Sequence, residues 1–467
     1  MEPRHLFIDD HEVESIDGLT RVIHQPIKHS HPVIRCEQPW EMFGIQTYGT
    51  IIYDEAEQLF KAWYLTHAGP STDRVRVDGV PRPANMTLLA YATSRDGIAW
   101  RKPSLGQVNF ERSTNNNLLR NGRLNVEGAS VLLEPEDTDP SRRYKAFYWE
   151  HGSGDLVKRE DGSFLWTDGE GDGIWVSFSP NGIHWTNHPA NPVIRVGSDT
   201  GQSVVWDPKL RLYVAYGRFG FGRRVARSGS PDFVHWSKPQ LVLEPDERDG
   251  LNTQFYGISV TLYEGIYVGM LWVFHIDADG HLGGGKDRGT IDVQLASSRD
   301  GVKWERAGDR RTFIPNGPPA DWDSRIIQCA CRSVVLADKI LIYYNGTRLK
   351  HGEGGRSSKS QIGLATLRRD GFVSLDAGDK EGSIITKPFR KTTGDLHLNV
   401  DAAGGQVLAF ICDARRKCIL GPSVPVTRDT SDVAVQWTDG PAQSLDGKTI
   451  RVLLRARNTK LYSYWFQ

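Results

Sequence analysis

Short apolar runs rich in Val, Ile, Tyr and Trp recur in pairs along the chain, each pair split by a polar turn. Tyr48-Gly-Thr-Ile-Ile-Tyr-Asp54 is followed by Leu59-Phe-Lys-Ala-Trp-Tyr-Leu65, and the double run returns at 128–134 with 144–150, 202–207 with 212–217, 258–263 with 267–274, and 332–336 with 339–344. Runs this short, β-branched and aromatic, joined by Gly- and Asp-bearing turns, predict β-hairpins rather than helices. A third run, at 88–93, 173–178, 293–297 and 361–366, follows four of the pairs and completes a three-strand unit.

One phrase punctuates these units. It reads Ser94-Arg-Asp96-Gly97-Ile-Ala-Trp100, Ser179-Pro-Asn181-Gly182-Ile-His-Trp185, Ser228-Gly-Ser-Pro-Asp232-Phe-Val-His-Trp236 and Ser298-Arg-Asp300-Gly301-Val-Lys-Trp304, with a degenerate fifth copy, Arg369-Asp370-Gly371-Phe372-Val-Ser-Leu375. Copies stand roughly 50–85 residues apart, the scale of a propeller blade with variable loops. Asp-Gly or Asn-Gly makes the turn because Gly takes positive φ without a Cβ clash, and the closing Trp is expected to pack between blades. The Asp and Trp of the phrase are therefore scaffold, needed by every blade whatever its chemistry. The pattern predicts an all-β chain: a five-bladed β-propeller over 1–380, with 1–35 leading in, followed by a small antiparallel β-sandwich over 381–467. In the latter, alternation changes character at 396–400, 406–411, 433–437, 450–455 and 460–466.

Composition narrows the function classes. The 467 residues are 39% hydrophobic with 14 Trp, 15 Tyr and 48 Gly, enough for a large core, and Lys plus Arg equals Asp plus Glu at 57 each. With no net charge and no basic block, nucleic acid and an anionic membrane surface are excluded as expected partners. The opening Met1-Glu-Pro-Arg-His-Leu-Phe-Ile-Asp-Asp10 has no signal-type apolar region and no apolar run reaches spanning length, so a cytoplasmic protein is expected, a signal peptide removed beforehand being the alternative. Cys36, Cys329, Cys331, Cys412 and Cys418 are too few and too scattered for a disulfide framework, and Cys329-Ala-Cys331 reads as packed free thiols. Gly283-Gly-Gly-Lys286-Asp287 lacks the spacing of a phosphate loop and reads as a surface loop. No Gly-x-Ser-x-Gly elbow or His-Glu-x-x-His helix occurs. No Asp-rich loop specifies a metal, so no cofactor is expected; a structural calcium ion in the axial channel stays open and unassigned. Oligomeric state is not legible in the sequence.

A propeller gathers the entrances of all its first strands and the ends of all its second strands on one face, which is where chemistry is sought. Acids recur there: Glu41, Glu127, Asp199 and Asp323. Glycosidic cleavage needs two carboxyl groups flanking the scissile bond, one protonated and one ionised. Glu127 and Asp199 stand at nearly the same height in adjacent blades, counted back from the turn acids Glu134 and Asp207, and form the first candidate pair. Glu41 and Asp323 are the further candidates. Trp40, Asn125, His151, Gln254, Tyr256, His275 and Arg325 supply the aromatic faces, amides and charged forks that grip sugar hydroxyls. The expected partner is a carbohydrate. Two readings stand: a glycoside hydrolase acting on a furanoside or another small glycan, and a non-catalytic carbohydrate-binding or scaffold propeller. Sialidases use similar Asp phrases, but expect six blades and an arginine triad.

With five units, the Ser-x-Asp-Gly-x-x-Trp phrase and an appended sandwich, the chain resembles the β-fructosidase-type glycoside hydrolases of family 32, and its propeller resembles that of the arabinanase and xylosidase family 43. Leu6-Phe-Ile-Asp-Asp10, Pro39-Trp-Glu41, Asn125-Val-Glu-Gly128 and Asp370-Gly-Phe-Val-Ser-Leu375 are similar to bacterial proteins described as family 32-like, and the closing Leu396-His-Leu-Asn-Val-Asp401 and Leu461-Tyr462-Ser-Tyr-Trp-Phe466 are similar to the ends of that sandwich. The resemblance covers 36–380 as propeller and 381–467 as sandwich. It implies cleavage of a fructoside- or arabinoside-like bond. The family 32 motifs Trp-Met-Asn-Asp-Pro-Asn, Arg-Asp-Pro and Glu-Cys are absent. Gln46-Thr47 stands at the blade-one position, Glu127 where the family has its blade-two Asp, and Asp199 where it has its blade-three Glu. The architecture carries over, and the assignment of nucleophile and acid does not.

Overall fold

The computed structural model describes residues 3–150, 156–158, 164–166, 171–281, 287–353 and 359–467. The propeller strands fall into five blades around an axis, antiparallel within each, with blades four and five continuous through a parallel bridge at Ile291 and Ile326. From the axis outward, blade one is Gly44–Asp54, Leu59–His67, Leu88–Ser94 and Trp100–Arg101, and blade two is Val126–Leu133, Tyr144–Glu150, Gly173–Ser179 and Thr186–Asn187. Blade three is Ser203–Asp207, Leu212–Gly217, Val225–Ser230 and Gln240–Leu243. Blade four is Thr253–Tyr263, Ile266–Ile276 and Gly289–Ser298, edged by Glu305–Arg306 and Thr312–Ile314. Blade five starts at Ile326–Cys329 and Val334–Val335, continues through Lys339–Thr347 and Gln361–Arg368, and takes its outermost strand, Ile27–Lys28, from the start of the chain.

The phrase is an inter-blade latch. In each regular copy the Ser hydroxyl accepts the Gly N–H, at 2.9 Å from Ser94, Ser179 and Ser298, and the Asp or Asn Oδ1 accepts the two following N–H groups. The Trp indole then donates back to the Gly carbonyl in blades one and two. That same carbonyl accepts a donor from the second strand of the preceding blade: Trp63 Nε1 on Gly182, the Tyr216 hydroxyl on Gly301, and, across the ring closure, the Tyr343 hydroxyl on Gly97. Blade three faces Phe147, which has no donor; there Phe233 replaces the glycine at φ 70° and packs its ring against Phe147.

A second set of latches uses the hairpin-turn acids. Asp54, Glu134 and Asp207 each accept the hydroxyl of the Tyr that opens the second strand of the following blade: Tyr144, Tyr213 and Tyr267. Burial lifts each of these tyrosines above its ordinary range.

The sandwich draws on both ends of the chain. One sheet runs Leu19–Ile23, Val373–Ala377, Thr459–Phe466, Leu396–Asp401, Asp429–Ala434, with His5–Leu6 also on Thr459–Phe466; the other runs Val13–Asp17, Gly382–Thr386, Thr449–Arg457, Gln406–Asp413, Cys418–Leu420. The opening segment, expected to lead into the propeller, thus contributes strands to the sandwich first and closes blade five afterwards. The boundary expected at 380 likewise has a sandwich strand before it. The cause is long-range pairing: Val13-Glu-Ser-Ile-Asp17 and Leu19-Thr-Arg-Val-Ile23 are short alternating runs whose partners lie far away in sequence.

A Cβ on Gly97, at φ 75°, would stand 2.5 Å from the Tyr343 hydroxyl and 3.3 Å from the Phe60 ring, whereas Gly79, at φ 77°, has nothing within 4 Å. Gly79→Ala should bear only the left-handed backbone cost of about 1 kcal/mol. Gly97→Ala should cost about 1–3 kcal/mol more through overpacking at the ring closure. Urea midpoints of the two variants check the difference.

Candidate active site at the axial mouth

Inner strands meet around the axis through small hydroxyls. Thr50 donates to the Ala129 carbonyl and accepts the Val131 N–H at 2.8 Å; Ser130 accepts the Val204 N–H at 3.0 Å; Ser203 accepts the Val260 N–H at 2.9 Å and donates to Cys331 O at 2.6 Å; Ser259 donates to Cys329 O; and the Cys331 N–H returns to Gly49 O. This ring runs through all five blades. Cys329 and Cys331 belong to it as backbone, and burial pushes the Cys331 thiol up to about 12.

Above the ring, three inner strands carry β-bulges: between Gln46 and Thr50, between Glu127 and Ser130, and between Phe255 and Gly257. A bulge breaks the two-residue alternation and re-aims side chains. Here the bulges place Tyr48, Glu127 and Tyr256 at the mouth. Gly128, at φ 68°, has no room for a Cβ because the Thr200 carbonyl and the Gln202 amide of blade three lie against it. Glu127 and Asp199, each one residue from that contact, are therefore carried to one place by adjacent blades.

The groups gathered there are aromatic and charged. Tyr48 stacks on Trp272 at 5.5 Å and 15°, and its hydroxyl accepts Gln328 Nε2 at 2.7 Å; Gln328 in turn accepts Asn345 Nδ2 at 3.0 Å. Burial raises the Tyr48 phenol well above its usual range, with Tyr256, Asp199 and Glu127 adding to the rise and Arg218 opposing it, so all four lie within electrostatic reach of one hydroxyl. Arg218 lies over the Tyr256 ring at 4.4 Å, donates from Nε and Nη2 to the Tyr256 carbonyl, and pairs with Asp199 Oδ2 at 3.2 Å. Burial works against the Arg218 charge, but Asp199, Tyr256 and Tyr48 more than offset it and hold the guanidinium above its ordinary value. The Asp199 side chain is 67% exposed, whereas Glu127 is 9% exposed.

The rim continues outward. Arg223 bonds Gln254 Oε1 at 2.9 Å and Asp287 Oδ2 at 2.7 Å, and lies over the Tyr256 and Phe274 rings. His351 meets Tyr256 edge to face at 5.4 Å and Arg223 at 3.4 Å; burial lowers its imidazole below the ordinary value, which leaves it neutral near pH 7. His67, at the end of the second strand of blade one, lies within electrostatic reach of Glu127. Burial depresses its imidazole too, against the pull of the Asn85 carbonyl and of Glu127.

Among the expected site residues, Glu127, Asp199, Gln254 and Tyr256 come together at this mouth. Glu41 does not: fully buried, it accepts Tyr64 Oη at 2.8 Å, Lys102 Nζ at 2.7 Å and the Glu37 and Gln38 N–H groups, saturating its carboxylate inside a core cluster. Trp40 lies beside it, its indole N–H on Asn117 Oδ1 at 2.9 Å and its ring edge-on to Phe110, so it is core rather than a sugar platform. Asp323 is also buried and paired, with Lys28 Nζ at 2.8 Å and Tyr344 Oη at 3.0 Å, where it ties the closing strand to blade five. Asn125 accepts the Thr87 hydroxyl at 3.3 Å between blades one and two. His275 faces Asp292 at 3.2 Å within blade four, and the Asp292 hydrogen bond raises its imidazole. Arg325 bridges blades four and five through its backbone. His151 and the 283–286 glycine loop lie outside the described residues. Sequence reasoning left Tyr48, Trp272, Arg223 and His351 out of the site and set Arg218 and His67 after second strands without a role; glycines inside inner strands, Gly49, Gly128 and Gly257, are the signal that marks the bulges.

A separate cavity of about 600 Å3 opens on the opposite face of the propeller, lined by 51–56, Leu133, Pro135 and 332–335. It is distant in the fold from Glu127 and Asp199. Among the described residues no three His, Cys, Asp or Glu side chains gather as a metal cluster, and no helix is long and apolar enough to cross a membrane.

No family model matches the chain. No curated protein matches it in sequence. Similar solved structures include the catalytic domain of a family 62 α-L-arabinofuranosidase from Coprinopsis cinerea (14% identity, covering 74% of this chain and 97% of that one, TM-score 0.45). An α-L-arabinofuranosidase from Podospora anserina in complex with cellotriose matches at 13% identity, 74% and 97% coverage and TM-score 0.46. A member of glycoside hydrolase family 130, whose hydrolases are described as targeting β-1,2 mannosidic linkages in Candida mannan, matches at 14% identity, 76% and 94% coverage and TM-score 0.46.

Because Glu127 favours the charged imidazole of His67, Glu127→Gln should lower the His67 pKa further. Proton–nitrogen NMR of the imidazoles against pH reads the shift, and an unmoved His67 would separate the two groups.

Proposed function

We propose that the axial mouth binds a carbohydrate and that Glu127 and Asp199 cleave a glycosidic bond within it, on a small glycan or a furanoside of fructoside or arabinoside type. The observation that carries this reading is the delivery of the two carboxyl groups, from adjacent blades, to one aromatic-walled mouth beside Arg218. Partial burial favours a protonated carboxyl, and a facing guanidinium favours an ionised one. Glu127, the more buried, is the general acid that gives its proton to the leaving oxygen as the anomeric carbon–oxygen bond breaks. Asp199, held by Arg218, is the ionised partner, acting as nucleophile on that carbon or as base toward the attacking water. Tyr48, stacked on Trp272, and Tyr256, covered by Arg218, back the site from beneath, and Gln254 with Arg223 reaches the sugar hydroxyls.

A glycoside screen with product stereochemistry read by NMR tests the reading and decides between retention and inversion. In a responsive assay, Glu127→Gln and Asp199→Asn should each lower kcat at least about a hundredfold, the scale of general acid–base catalysis, while sugar binding persists. Glu41→Gln should lower the unfolding midpoint and leave kcat in place, since its carboxylate works inside the core. Sugar binding without turnover on any glycoside would favour the carbohydrate-binding propeller instead.

A further inference from the structure

The sandwich carries a cysteine pair whose geometry is independent of the axial mouth. Cys412, in Gln406–Asp413, and Cys418, in Cys418–Leu420, are register partners across an antiparallel pair, with their sulfur atoms 2.9 Å apart. The turn between them is fixed from within: Asp413 Oδ1 accepts the N–H groups of Arg415 at 2.8 Å and Lys417 at 2.9 Å, and the Asp413 N–H bonds the Lys417 carbonyl at 2.8 Å. Cys412 is fully buried and Cys418 is exposed. Cys418–Leu420 is the last strand of its sheet, and edge strands of this length fray unless something holds them.

We propose that Cys412 and Cys418 are a disulfide-forming dithiol that staples this edge strand, oxidised by a low-molecular-weight disulfide such as glutathione disulfide. The exposed Cys418 thiolate attacks one sulfur of the oxidant, breaking its S–S bond and releasing one glutathione thiolate. Cys412 then yields its proton to solvent and its sulfur attacks Cys418 Sγ, breaking the mixed disulfide and releasing the second glutathione. Two protein thiols are oxidised and one glutathione disulfide is reduced to two thiols. Burial, with the Cys418 sulfur beside it, pushes the Cys412 thiol up to about 12, so Cys418 is the group that meets the oxidant. The cysteines read as too few and too scattered for a disulfide framework thus include one pair that the fold brings together. Cys36, whose thiol donates to the Ser360 carbonyl at 3.1 Å, and the axial Cys329 and Cys331 remain apart from it.

Trypsin provides the test, because Arg415, Arg416 and Lys417 lie between the two cysteines. Full-length reduced protein is incubated with glutathione disulfide, alkylated and digested. Peptides 392–415 and 418–428 should then appear as one linked species, lighter than their sum by two hydrogens, which dithiothreitol splits. The Cys418→Ser variant should yield only the separate, alkylated 392–415. Separate alkylated peptides from the oxidised wild type, a persistent glutathione adduct on Cys418, or linkage of either peptide to the Cys36 peptide would each overturn the proposal.

Discussion

A ring of hydroxyl-to-backbone hydrogen bonds around the axis, closed by the Cys331 N–H on the Gly49 carbonyl, is the constraint on which this molecule rests. Blades arranged radially share few backbone hydrogen bonds, such as the Ile291–Ile326 bridge and the Cys331 N–H on Gly49 O, so their inner strands satisfy one another mostly through side chains. Thr50, Ser130, Ser203 and Ser259 do so with the smallest donor–acceptor groups available, which lets the strands approach the axis closely. Larger side chains would hold the blades apart. Aliphatic ones of similar size would leave buried N–H and C=O groups unpaired, at about 1–3 kcal/mol each.

Closing the axis in this way has a functional consequence. The mouth lies above the ring, with Tyr48, Trp272 and Tyr256 buried around it. The bulges above the ring convert a regular inner strand into a display of selected side chains, so Glu127 projects into the mouth although the alternation of its strand alone would not settle that. Arg218 adds the electrostatic half: one carboxylate, 67% exposed, stands against a guanidinium while its neighbour is buried to 9% exposure. Two acids of the same ordinary strength are thereby given unlike surroundings.

Blade number was legible because the Ser-x-Asp-Gly-x-x-Trp phrase is a self-contained turn, whose hydrogen bonds close within a few residues. The height of Glu127 and Asp199 was legible for the same reason, as a count from turn acids that prove to be inter-blade latches. Glu41 and Asp323 show the limit of such counting. They sit at the expected places in sequence, but Lys102 and Lys28, each remote along the chain, decide that their carboxylates are sealed into ion pairs. Trp40 is taken into the core by Asn117 in the same way. The first strand of blade five was expected at 332–336, whereas Ile326–Cys329 and Val334–Val335 share that role, because Cys329 to Cys331 are drawn onto the axial ring.

The degenerate fifth phrase departs from the repeat where the molecule changes architecture. Its Asp370 is buried, at φ 60°, and gathers donors from three regions: Arg4 Nη1 at 2.9 Å from the opening segment, Asn399 Nδ2 at 3.0 Å and Ser463 Oγ at 2.6 Å from the sandwich, and the Tyr263 hydroxyl from blade four. An Asp or Asn that in the other copies caps its own turn is here the junction of propeller and sandwich. The swap follows from topology. Blade five receives its outer strand from the N-terminus, so the chain leaving that blade is released to the sandwich, and the turn acid is free to take partners from it. Burying one such charge costs several kcal/mol unless donors surround it, which is why the same residue that relaxes the motif also fixes how the two β-structures join.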